Sequence, residues 1–272
     1  MRRGATLEGR VARPPRTPAP QKTRRPRPRR PQLITLTPQL NPRRHTEGGH
    51  MTTTPASTST PTFDGAGQLA AVARSVRMQE LDGHDGFVIT LTQTFAAKRS
   101  SLWSAATEIS RLAQWFAPVD GSLRQGGTYQ IQDNAHGHIT GCHAPDSFTA
   151  TWEYDGEHSH LEVHFTKVDE THATLSLEHH SPTDEETWPK FGVGATGVGW
   201  DLSFASLAHH LATGASVPLE TTSWVQTDDA STFLVQSAEA WADASIAAGS
   251  DEADARAAQK RTTDAYLDGL NS

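Results

Sequence analysis

From Thr128 to His180 the chain runs in short segments of alternating apolar and polar residues, each separated from the next by turn formers. The segments read as strands over Thr128–Gln132, Gly137–His143, Phe148–Tyr154, Leu161–Val168 and Ala173–His180, with Asn134, Asp155-Gly156 and Asp169-Glu170 in the gaps. Within the last two, Leu161, Val163 and Phe165 share one face, as do Ala173, Leu175 and Leu177. His160, Glu162 and His164, and Thr174, Ser176 and Glu178, take the opposite face. One buried face and one wet face are what an antiparallel meander requires.

The flanking segments add helices. Phe87–Phe95 is β-branched and largely alternating, a further strand. Ser100 or Ser101 can cap a helix whose apolar stripe is Leu102, Trp103, Ala106 and Ile109, and a second short helix, Arg111–Phe116, stops before Pro118. After the meander, Gly192–Gly199 leads into a longer helix from Trp200 to about Ala212, with Trp200, Phe204, Leu207 and Leu211 at helical spacing. Beyond residue 221, Phe233, Leu234, Ser237 and Trp241 indicate one helix ending near Gly249. Ser250 can cap a second that ends near Tyr266 and Leu267. These two helices are expected to form an intramolecular cap anchored by Trp224 and Trp241, with a homodimer contact as the alternative.

The charge is uneven. Residues 1–50 carry 13 Lys/Arg against 2 Asp/Glu, a formal +11, leaving 11 against 29 and a formal −18 for residues 51–272. An acidic folded part disfavours nucleic acid or an anionic membrane as its partner, and no apolar run approaches the length of a bilayer span. Eleven of the 16 prolines fall in residues 1–61, interleaved with arginine, so the segment reads as disordered. Glu47-Gly48-Gly49-His50 directly precedes Met51, and GAAGGAGG, a permissible coding for Glu-Gly-Gly, resembles a bacterial ribosome-binding sequence. Translation is therefore expected to begin at Met51. The expected division is a lead-in over 1–77, one domain over 78–214 and a helical extension over 215–272. Cys142 is the only cysteine, which excludes an intramolecular disulfide and makes the cytoplasm the default compartment.

Several strings, in this order, resemble the SRPBCC or START-like superfamily, in the branch related to the C-terminal domain of the activator of heat-shock-protein (Hsp90) ATPase. They are Leu102-Trp103-Ser104-Ala105-Ala106-Thr107, Leu112-Ala113-Gln114-Trp115-Phe116-Ala117-Pro118, Gly126-Gly127-Thr128-Tyr129, Phe148-Thr149-Ala150-Thr151-Trp152-Glu153-Tyr154, Thr174-Leu175-Ser176-Leu177-Glu178-His179 and Gly197-Val198-Gly199-Trp200-Asp201. The resemblance implies an α+β helix-grip fold (START-like or Bet-v-1-like): a curved antiparallel sheet wrapped around a long C-terminal helix, with a cavity between them. It nominates Trp103, Trp115, Phe116, Tyr129, Trp152, Tyr154, His179, Phe191, Trp200 and Phe204 as the cavity lining. Aromatic side chains around a cavity with few polar atoms suit an apolar small molecule. The expected function is therefore hydrophobic-ligand binding without a cofactor. A cyclase or dehydratase using the same cavity and a co-chaperone acting through its surface are the rival classes.

Catalytic motifs are missing. The sequence holds no Gly-x-Ser-x-Gly elbow, phosphate loop or His-Glu-x-x-His pair. Gly192-Val193-Gly194-Ala195-Thr196-Gly197 does not follow a strand of a parallel unit and is not a dinucleotide loop; its glycines are expected to let a loop approach the sheet. His179 falls on the apolar phase of its strand, and with Tyr154 is the only loose candidate for acid–base work. His136, His138, His158, His160 and His164 lie on the wet face; i, i+2 spacing without cysteine is too unspecific for a metal site, and none is expected. Asp184, Glu185 and Glu186 read as a solvated acidic loop over the cavity mouth.

Overall fold

The computed structural model describes residues 63–270, apart from Asp82 and Glu185. The basic Pro/Arg-rich segment and the start at Met51 lie outside the described residues. In chain order the elements are α1 (Gly65–Ala71), β1 (Ala73–Leu81), β2 (His84–Phe95), α2 (Arg99–Thr107), α3 (Ile109–Leu112), β3 (Val119–Gly121), β4 (Thr128–Ile131), β5 (His136–His143), β6 (Ser147–Tyr154), β7 (Glu157–Lys167), β8 (Ala173–Pro182), α4 (Trp188–Phe191), α5 (Gly194–Thr213), α6 (Asp228–Ala247) and α7 (Glu252–Leu270). The strands form one curved antiparallel sheet in the order β1-β2-β8-β7-β6-β5-β4-β3 around the long helix α5, an α+β helix-grip fold.

The meander forms because each strand can bury one face. Along β8, Ala173, Leu175, Leu177, His179 and Ser181 are buried, and the residues between them are half-exposed. Ile89 and Leu91 of β2 are fully buried beside them. Burying side chains of this size is worth about 1.5–3 kcal/mol each, the main force holding sheet to helix.

Three boundaries differ from those expected of the sequence. Ordered structure begins before Met78: α1 is capped by Asp64, whose carboxylate accepts from Gly67 N at 2.9 Å, and β1 pairs with β2 along its whole length. The N-cap of α2 is Lys98, so Ser100 and Ser101 lie inside the first turn, and α3 starts at Ile109 and passes into a turn after Leu112. The third difference is at α5, which begins at Gly194 rather than Trp200. A Cβ added at Gly197 would meet the Trp241 indole of α6 at 2.4 Å, and one at Gly194 would meet Thr262 Oγ1 of α7 at 2.7 Å. The glycines therefore admit the C-terminal helices, not the sheet.

Those helices pack on the body of the protein. Trp241 and Trp224 are buried, and α6 lies against α1, β1 and α5. Thr227 caps α6 through Ala230 N, and the cap of α7 is Asp251, whose carboxylate accepts from Asp254 N; Ser250 instead bonds Ser245. One buried carboxylate ties the layers together. Asp201 of α5 accepts from Nε of Arg74 on β1 at 3.0 and 3.1 Å and lies 2.9 Å from its Nη2 as an ion pair. It also accepts from Ser237 Oγ at 2.6 Å and Trp241 Nε1 at 2.9 Å, both from α6. Burial pushes this carboxyl up, while the guanidinium and the two α6 donors pull it down. Every contact it makes there is with a donor, the pattern of an ionised carboxylate.

Candidate functional site

Between the sheet and α5 lies a cavity of about 110 Å³. Its floor is the buried face of the meander: Ile139, Ala150, Leu161, Val163, Leu175 and Leu177. Its roof is Trp200, Ser203, Phe204 and Leu207, one stripe of α5. Ala106, Phe116, Leu123 and Phe148 are the lining residues that remain partly exposed, so the opening lies between α2, the turn after α3 and the loop after β3.

Six of the residues nominated from sequence meet here: Trp115, Phe116, Tyr129, Trp152, Trp200 and Phe204. The other four do not line it. Trp103 turns its ring to Phe148 and Phe165, 6.2 and 5.2 Å away between centroids. Tyr154 is half-buried at the end of β6, and Phe191 borders a separate gap of about 20 Å³ between α4, α6 and α7. His179 is almost fully buried behind Trp200. Its position on β8 gave the correct face, but a neighbouring side chain stands between it and the cavity. The aliphatic floor carried no sequence signal separating it from ordinary core.

The wall's polar groups are engaged by the protein. Trp115 Nε1 donates to Ala105 O at 2.9 Å, Tyr129 OH to Thr151 O at 2.6 Å, Trp200 Nε1 to His179 Nδ1 at 2.9 Å and Ser203 Oγ to Gly199 O at 3.0 Å. The Trp152 indole N–H is the wall's remaining side-chain donor. Burial, and next the Glu153 charge, push the Tyr129 phenol far up, so it stays neutral. His179 uses both ring nitrogens, since Nε2 lies 2.8 Å from Ser159 Oγ. Burial, reinforced by His180 and His160, lowers its pKa to about 3. A histidine so placed has no lone pair for a substrate, which removes His179 as an acid–base candidate.

Asp184 accepts from Glu186 N at 2.8 Å and Thr187 N at 2.5 Å, closing its own turn, and neither Asp184 nor Glu186 lines the cavity. Among the described residues, no group of three or more His, Cys, Asp or Glu side chains is placed to hold a metal, and no helix is long and apolar enough to cross a membrane.

The fold is SRPBCC/START-like, related to that of the activator of Hsp90 ATPase. Residues 96–212 match the family described as activator of Hsp90 ATPase homolog 1-like protein. The crystal structure of CalU16 from Micromonospora echinospora aligns with a TM-score of 0.52 and 24% identity over 64% of this chain and 98% of that one. The solution structure of CalU16 gives 0.55 and 24% over 66% and 97%. An Hsp90 activator from Plasmodium falciparum aligns at 0.41 and 19% over 47% and 96%. No curated protein matches the chain. The likeness to CalU16 shows the fold.

Proposed function

We propose that the protein binds a small apolar molecule, or the apolar portion of a larger one, between α5 and the sheet. The observation that carries this reading is the wall itself: aromatic and aliphatic side chains whose polar handles are nearly all committed to protein acceptors. Such a wall favours hydrocarbon and penalises any buried polar group that finds no partner. A cavity near this size, lined by Leu, Ile and Phe, stays dry and admits benzene or xenon.

A cyclase or dehydratase would need ionisable groups converging on one reacting atom. The lining offers one ionisable group, the Tyr129 phenol, which stays neutral and donates to Thr151 O, so binding without chemistry is the better-supported reading. We place the protein in the cytoplasm on its single cysteine. A homodimer would use a face other than the inward faces of α6 and α7, which the chain's own core occupies.

Native mass spectrometry of the protein purified from its host tests the reading. An organic adduct is expected on the wild type and absent from Ala150→Phe, which directs a ring into the cavity. An adduct retained by the folded variant would place the ligand elsewhere. A co-chaperone acting through its surface would keep its partner in both forms.

A further inference from the structure

Two of the rings that line the cavity lie parallel without covering one another. Phe116, in the turn after α3, and Trp200 of α5 are inclined by only 2°, with centroids 6.4 Å apart. Rings in full face contact approach to about 3.5–4.0 Å between carbons. At 6.4 Å the pair either encloses a gap nearly one further ring thick or is slipped sideways by about 5 Å. Both arrangements leave aromatic face for a flat group entering the cavity. Neighbouring pairs are closer and inclined: Trp115 meets Phe116 at 5.4 Å and 43°, and Trp152 meets Trp200 at 5.3 Å and 56°.

The two rings are held differently. Trp200 is buried, and its indole N–H is tied to His179 Nδ1 at 2.9 Å, so its plane is fixed. Phe116 is only partly buried at the opening, and a phenyl ring has packing alone to orient it. The backbone beneath it is secured, since Phe116 N donates to Leu112 O at 2.8 Å and the preceding Trp115 indole to Ala105 O. Rotation of this one side chain therefore widens the space without moving the chain.

We propose that Phe116 and Trp200 form an aromatic clamp that selects a planar aromatic ring over a saturated ring of the same carbon number. Trp200 is the fixed jaw and Phe116 the adjustable one. The proposal rests on the apolar site between α5 and the sheet and adds the class of its ligand. The aliphatic floor attracts any hydrocarbon through burial alone. Contact between aromatic rings adds an attraction beyond the area buried, which only a π-system gains. A puckered ring, thicker than a flat one, gains none of it and fits poorly between parallel faces.

Thermal unfolding of the full chain with benzene or cyclohexane, each supplied at the same fractions of its aqueous saturation, tests the clamp. Matching fractional saturation cancels the difference in hydrophobicity between the two liquids and leaves shape and stacking. The midpoint is expected to rise saturably with benzene, at a half-effect fraction about three- to tenfold lower than for cyclohexane. Phe116→Leu keeps an apolar side chain but removes the ring, and is expected to abolish that preference. Equal effects of the two hydrocarbons on the wild type would overturn the clamp and leave the apolar site standing. No effect of either would remove site and clamp together. A preference undiminished in folded Phe116→Leu would also overturn the clamp, and should that variant not fold, the wild-type comparison decides alone.

Discussion

Trp200 of α5 donates its indole N–H to Nδ1 of His179 on β8 at 2.9 Å, and because tryptophan can only donate, the imidazole proton must sit on Nε2. That proton points to Ser159 Oγ at 2.8 Å, and Ser159 in turn donates to Trp152 O at 2.9 Å. The Trp152, His179 and Trp200 rings lie 5.3–6.0 Å apart between centroids, so one relay locks the grip helix to the sheet beside the cavity.

The relay makes stability depend on pH. The folded-state pKa of His179, about 3, lies below its ordinary 6.5, so the folded protein resists a proton that the unfolded chain accepts. The contribution is complete above about pH 6.5 and is lost as pH falls, at up to about 1.4 kcal/mol per pH unit. Denaturant unfolding between pH 7 and 4 is expected to show a shallower fall for His179→Gln than for the wild type. Parallel curves would remove His179 as the cause.

Asp201 holds β1, α5 and α6 at one point. Asp201→Leu leaves the buried Arg74 charge without a counter-ion, held only by the Leu69 and Val72 carbonyls, strips acceptors from Ser237 and Trp241, and is expected to cost about 3–5 kcal/mol. Adding Arg74→Leu should restore part of that loss. The check is a double-mutant cycle by chemical denaturation; additive losses would show that the two side chains are not coupled.

Two glycine-to-alanine changes should have opposite signs. Gly197→Ala drives a methyl into the Trp241 indole and is expected to destabilise by about 1–3 kcal/mol, despite alanine's preference for helix. Gly269→Ala, in α7 with nothing within 4 Å of the added carbon, should stabilise by up to about 1 kcal/mol. Thermal unfolding reads both.

The meander was legible because each strand has a wet face, so alternation survives in residues such as Leu161–Glu162–Val163–His164. The edge strand β1 was not: Ala73–Leu81 is exposed or half-exposed along its length and carries no clean alternation. The first turns of α5 were hidden for another reason. Gly194 and Gly197 read as loop formers, and the partners that make them helical, Thr262 and Trp241, come from far along the chain. For the cavity, sequence phase told which face a side chain takes but not its place on that face, which is why His179 and Trp103 fell outside while Phe116 and Trp200 fell inside.

If the wall beneath Trp200 is what selects a ligand, the space it encloses accepts hydrocarbon and refuses charge. Thermal unfolding in the presence of benzene or benzoate separates the two, because a ligand bound only by the folded state raises the midpoint saturably. The expected result is a saturable rise with benzene, none with benzoate, and loss of the benzene effect in Ala150→Phe. No shift with benzene, or an equal shift with benzoate, would refute an apolar binding site between α5 and the sheet.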